Sequence, residues 1–166
     1  TPVAGVDPLG DPILHTRFAL PVRPATFLRR TRLLQHLDAG LETPLTMVNG
    51  AAGAGKTLLV ADWAAGLRQP VAWLTVEAEE QRPGTFWAYF LQALSTCGTP
   101  LSDRVHCPVD PSRVSHKVLS EIAEDLVGRD PAPVVVLDEF DRVSASEVAE
   151  LATLLVSSAS PGPPAL

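Results

Sequence analysis

The octet Gly50-Ala51-Ala52-Gly53-Ala54-Gly55-Lys56-Thr57 constrains this chain more than any other stretch, because it satisfies every specified position of G-x-x-x-x-G-K-[ST]. Amides that wrap a phosphate must approach it closely, and glycines at 50, 53 and 55 permit a left-handed backbone and an approach that no Cβ obstructs. A helix opening at Lys56 or Thr57 aims its unpaired amides and positive dipole end at the same anion. Lys56 brings a point charge for the β- and γ-phosphate oxygens, and the Thr57 hydroxyl suits Mg²⁺, which takes oxygen ligands and keeps several waters. The flanks agree: the apolar run Leu45, Thr46, Met47, Val48 predicts a strand, and Leu58, Leu59, Ala61, Asp62, Trp63, Ala64 and Leu67 predict a helix. Strand, glycine loop and helix make a phosphate-binding loop, with Gly50, Ala51, Ala52, Gly53, Ala54, Gly55, Lys56 and Thr57 as nucleotide-binding residues.

Composition bounds what surrounds that loop. At 166 residues, 46% of them hydrophobic, the chain suffices for one ordinary α/β domain with a sizeable core and is short for two. No apolar run approaches the roughly 20 residues of a bilayer span, so no membrane partner is expected. A formal net charge of −6 argues against a broad nucleic-acid surface within these residues. Cys97 and Cys107 stand at no zinc or disulfide spacing, which points to reduced thiols and a cytoplasmic setting. The chain begins at Thr1, shows no signal-peptide pattern and ends in Pro-Gly-Pro-Pro-Ala-Leu, as a piece of a longer protein would.

Prolines at 2, 8, 12, 21 and 24 deny helix and central strand to residues 1–25, which are expected to form an extended surface arm with a short strand near 13–18. Thr26 is placed to cap a helix on which Leu33, Leu34, Leu37 and Leu41 recur at helical spacing, ended by Gly40 and Pro44. On pattern alone, Arg29, Arg30 and Arg32 read as a solvated face. Beyond the loop helix, 71–76 reads as a buried strand that completes a β-α-β unit. Glu77, Glu79 and Glu80 follow at its carboxyl end, where open α/β sheets bind ligands, although a solvated acidic loop is the commoner fate of such a run. Residues 85–94 predict an aromatic helix whose Phe86, Phe90, Leu94 spacing means core packing. Residues 95–111 lack any period and read as loop. Two further helices are expected, over 112–127 with Gly128 as its stop and over 144–156 with Pro161 beyond it.

Between those helices, Val134-Val135-Val136-Leu137 runs into Asp138-Glu139. An uninterrupted aliphatic run suits a strand covered on both faces of a parallel sheet, and its carboxyl end is where ligands bind. Asp138 is therefore placed to hold Mg²⁺, and Glu139 to orient and deprotonate the water that attacks a γ-phosphate, as the catalytic residue.

Three stretches carry a resemblance to a known family. Residues 13–24 with Phe27-Leu28-Arg29-Arg30-Thr31-Arg32-Leu33-Leu34, residues 49–57 with Ala61-Asp62-Trp63-Ala64, and Trp73-Leu74-Thr75-Val76-Glu77 with Phe86-Trp87-Ala88-Tyr89 are similar to the nucleotide-binding domain of the STAND-type P-loop ATPases. The likeness is to the large ATP-binding transcriptional regulators of the LuxR class, the group of the maltose-regulon activator, and it runs from about residue 13 to about residue 156. The resemblance implies an α/β fold, a three-layer α/β/α P-loop NTPase with a mainly parallel sheet. Residues 1–25 would be its arm and 26–166 the N-terminal part of the ATPase domain, truncated before a strand that carries a sensor arginine.

What such a regulator does is implied in the same way. ATP or ADP with Mg²⁺ acts as a switch, hydrolysis is slow, and the ATP state favours self-association and DNA binding by a C-terminal helix-turn-helix domain outside these residues. By matching position, Arg30 falls on the family arginine that helps to hold the nucleotide. Where the family often has Asp-Asp and an aromatic-His pair, this chain has Asp138-Glu139-Phe140-Asp141, a departure that touches the hydrolytic residue and leaves the metal ligand in place. A small P-loop kinase or an ATPase motor shares the loop and the acidic strand and stands as the alternative.

Overall fold

A computed structural model describes residues 12–43, 45–77, 85–98 and 115–159. The acidic residues Glu79 and Glu80, most of the 95–111 loop, the start of the arm and Pro161 lie outside the described residues. The chain divides into two compact units, one formed by Leu20–Arg68 and one by the chain on either side of it.

In the first unit, helix α1 (Thr31–Gly40) and helix α2 (Lys56–Ala65) pack through Leu34, Leu37 and Leu59, with Leu33, Val48, Val60 and Trp63 around them. The Trp63 indole N–H donates to Asp38 Oδ1 at 2.9 Å and ties the helices at their polar edge. Helix α1 starts later than the Thr26 cap predicts. Phe27 N–H bonds the Pro24 carbonyl at 3.0 Å, so Thr26 is spent in a turn, and the helix opens after Arg30 with no side-chain cap. At its other end, a Cβ on Gly40 would lie 2.3 Å from Thr46 Oγ1, so any side chain there would displace Thr46.

The strand expected at 45–48 does not form. A strand exists by its ladder, and among the described residues this run has no partner strand. Leu45 and Met47 stay 56% and 62% exposed, and Val48 turns inward.

The second unit holds the sheet. Strands β1 (Val71–Thr75) and β2 (Val134–Asp138) pair in parallel from Val71 opposite Val134 to Thr75 opposite Asp138. Val134 N–H to the Pro70 carbonyl, 2.8 Å, and Val76 N–H to the Asp138 carbonyl, 3.0 Å, extend the ladder at both ends. Strand β1 is covered on both faces, with Ala72, Trp73 and Leu74 all buried, as its unbroken apolar run requires. Strand β2 departs from the expectation of equal cover: all five of its residues are half-buried.

Helix α3 (Thr85–Thr96) supplies the aromatic core as its spacing predicts, with Phe86, Phe90 and Leu94 buried and the Phe86 and Trp87 rings edge to face at 5.3 Å. Helix α4 (His116–Val127) is capped by Ser115, whose hydroxyl accepts from Val118 N–H at 3.3 Å; the first expected residues of that helix, 112–114, lie outside the described set. Helix α5 (Ala145–Ala159) opens on a reciprocal cap. Ser144 Oγ accepts from Glu147 N–H at 3.4 Å while Glu147 Oε2 accepts from Ser144 N–H at 3.2 Å, the capping-box arrangement that satisfies two orphan amides. The Trp87 indole N–H donates to Glu150 and joins α3 to α5.

In place of the strand expected near 13–18, His15–Phe18 winds into a 3-10 turn. Its position is set by side chains: Phe18 enters the core, Arg17 lies buried 4.3 Å over the Tyr89 ring, and its Nη2 pairs with Glu77 Oε2 at 2.9 Å. Leu14 N–H donates to the Tyr89 hydroxyl at 3.1 Å, so this part of the arm is anchored rather than laid on the surface. Among the described residues no helix is long and apolar enough to cross a membrane.

Candidate functional site

The glycine loop has the backbone that an anion site needs. Gly53 and Gly55 take φ of 78° and 81°, the left-handed conformation open to glycine. Ala54 N–H closes a turn on the Ala51 carbonyl at 3.1 Å, and a Cβ on Gly53 would meet nothing within 4 Å. Gly50 differs from expectation, since its φ is not positive. A Cβ there would sit 3.4 Å from both Ala54 Cβ and Lys56 Cδ, in ordinary contact with both.

Helix α2 begins at Lys56 with Gly55 as its N-cap and no side-chain cap. Gly55 brings no side chain to cap the first turn, so the positive end of the helix is left to the loop and to an anion. Thr57 sits in that first turn, half-buried. Lys56 Nζ reaches back to donate to the Gly50 carbonyl at 2.5 Å, and Ala51, Ala52, Gly53 and Ala54 are exposed. On the other flank, Arg30 Nη1 donates to the Ala54 carbonyl at 3.1 Å, and its Nη2 lies 3.8 Å from where a Gly55 Cβ would be. Two cations thus flank a loop of left-handed glycines at an uncapped helix start. A phosphate chain fits these groups by charge, by the uncapped helix start and by the open space beside Gly53.

Sequence reasoning passed over Asp62. Its side chain is 1% exposed on α2, and both Arg23 and Arg29 converge on it, Arg23 Nη1 at Oδ1 and Arg29 Nε at 3.5 Å from Oδ2. The available signal was an acid set among the apolar residues of the loop helix, preceded by an excess of arginine.

In the other unit, Asp138 and Glu139 stand together at the carboxyl end of β2. Asp138 Oδ1 accepts the Glu139 N–H at 3.1 Å. Glu139 is held left-handed, φ 58° and ψ 40°, and its carboxylate pairs with Arg142 Nε at 3.6 Å, each side chain 44% exposed. Glu77 follows β1 on the same edge of the sheet, and its carboxylate is engaged by Arg17.

A family model described as an AAA domain matches residues 41–162, a span that holds the glycine loop, both strands and the acidic pair. The transcriptional regulator MalT of Serratia proteamaculans is 35% identical over 95 residues, 57% of this chain and 10% of that protein. The serine/threonine-protein kinase PknK of Mycobacterium tuberculosis strain H37Rv is 26% identical over 140 residues, 81% of this chain and 13% of the kinase. MalT of Yersinia enterocolitica is 32% identical over 82 residues, 49% of this chain and 9% of the regulator. The chain thus spans about a tenth of the length of the curated relatives it matches. No solved structure matches it at a significant level.

Proposed function

Since the chain belongs to the AAA domain family, we propose that it is the ATP-binding switch of a larger cytoplasmic transcriptional regulator, with slow hydrolysis that governs self-association and DNA binding by parts outside these residues. The P-loop ATPase assignment is the family's; its use as a regulatory switch is supported by the likeness to MalT, a protein named as an HTH-type transcriptional regulator. One observation carries the nucleotide reading: α2 opens without a side-chain cap between Lys56 and Arg30, behind two left-handed glycines.

Each residue has a role in that reading. The amides of 50–57 cradle the β-phosphate, Lys56 neutralises the β and γ oxygens, and Arg30 adds a second charge at the loop. Thr57 and Asp138 would hold Mg²⁺, and Glu139 would orient water. When bound, MgATP supplies the polyanion that orders the loop and the labile γ-phosphoryl group. Slow turnover accords with Glu139 sharing its carboxylate with Arg142.

Calorimetric titration with MgATP and MgADP tests this. Lys56→Ala should weaken both by at least about tenfold, since one charge-assisted contact is lost. Unchanged affinity would overturn the assignment. Labelled γ-phosphate should appear slowly as inorganic phosphate; transfer to another acceptor would instead mark a kinase.

A further inference from the structure

We propose that Asp62 is a positioning residue for nucleotide binding: its buried carboxylate pins residues 23–29 onto α2 and thereby holds Arg30 against the phosphate loop. The proposal rests on the reading of 50–57 as a nucleotide site.

A carboxylate is kept in a dry helix face only when it is paired. Asp62 is paired from two directions, and its two oxygens are treated differently. Arg23 hydrogen-bonds Oδ1. Oδ2 is buried and accepts no hydrogen bond, so the charge of Arg29, 3.5 Å away, is what compensates it. The segment between these arginines has little else to hold it. Leu28 is 78% exposed and Phe27 half-buried, so apolar burial anchors it only in part, and its internal bond from Phe27 N–H to the Pro24 carbonyl makes a turn rather than an attachment. Two ion pairs to one acid are therefore its charged fastening.

The fastening is aimed. Arg30 follows Arg29 directly and bonds the Ala54 carbonyl on the loop. Asp62 lies on the helix whose N-terminus opens that loop, so the guanidinium of Arg30 is referenced to the same rigid element that would receive the phosphate. Without Asp62, Arg23 and Arg29, already 48% and 66% exposed, would turn fully to solvent, and Arg30 would lose the neighbour that fixes its backbone.

MgADP affinity measured by calorimetry on the whole chain tests this in a double-mutant cycle. Arg30→Gln should weaken binding about tenfold, the loss of one charge-assisted contact. Asp62→Asn should weaken it comparably in the unaltered protein and by less than about twofold in the Arg30→Gln background, because Asp62 acts through Arg30. A merely structural role would lower both backgrounds by the same factor, since α2 also carries Lys56; that result, or no weakening at all, overturns the proposal. Arg29→Gln avoids a buried change and should give a smaller weakening in the same direction, which Arg29→Lys largely restores by keeping the charge. If Asp62→Asn does not fold, equal affinity for Arg29→Gln and the unaltered protein overturns the proposal by itself. Lys56→Ala separates the two levels: affinity retained in that variant overturns the nucleotide site, whereas affinity lost there and retained in Asp62→Asn overturns the positioning role alone.

Discussion

Glu139 is, among the described residues, the one non-glycine with positive φ, and its backbone sits at the centre of the left-handed region. For an ordinary L-residue, Cβ crowds the following carbonyl oxygen there, at a cost of about 1–2 kcal/mol. Glu139→Gln removes the carboxylate and the pair with Arg142 and keeps that strain. Glu139→Asn removes the same carboxylate and the same pair, and asparagine bears the left-handed conformation better because its short amide bonds locally. The lost ion pair, half-exposed and worth about 0–1 kcal/mol, cancels between the two variants. What is left is backbone strain, so the Asn variant should be more stable than the Gln variant by about 1 kcal/mol. Urea unfolding of both, with equal slopes, reads this directly, and the melting temperatures should differ by about 2–8 °C in the same sense. Equal stability, or a less stable Asn variant, would refute the claim that strain is stored at Glu139, the position proposed to orient water. Both variants should bind nucleotide and lose turnover; wild-type turnover in the Gln variant would remove Glu139 from the chemistry.

Other expectations follow from single contacts. Asp138→Asn should reduce the Mg²⁺ dependence of nucleotide affinity while leaving metal-free ADP binding in place, as titration with and without chelator would show. Gly53→Ala meets no atom within 4 Å yet forces a Cβ into left-handed backbone, so it should cost about 1 kcal/mol in unfolding and weaken nucleotide binding more than it weakens the fold. Ser144→Ala breaks the cap of α5 and should lower stability by about 1 kcal/mol without altering nucleotide affinity.

The glycine loop could be read from sequence because its physics is local. The left-handed residues at 53 and 55 and the helix start at Lys56 depend on neighbours a few positions away. The aromatic helix was readable for the same reason, since Phe86, Phe90 and Leu94 share a face by spacing alone. Elements whose form depends on distant partners were not. The run 45–48 has strand composition, but composition supplies no partner, and without a ladder it stays irregular and half solvated. The cap expected at Thr26 lost to a turn closed by Phe27 N–H on the Pro24 carbonyl, one local arrangement in place of another.

The arm shows the deeper limit. Among its described residues no α-helix or extended strand forms, yet prolines say nothing of attachment, and a segment poor in buried apolar residues reads as surface. In the structure two sets of charges fasten it, each within its own unit: Arg17 to Glu77 and the Tyr89 ring, and Arg23 with Arg29 to Asp62. Patterns of apolar spacing cannot register these contacts, because they are made between charges distant in sequence. A buried acid on the apolar face of the loop helix conflicts with the rule that built the helix, so it calls for a compensating partner and a reason to keep both. Asp62 has its partners in Arg23 and Arg29, and the position of Arg30 beside the loop supplies the reason.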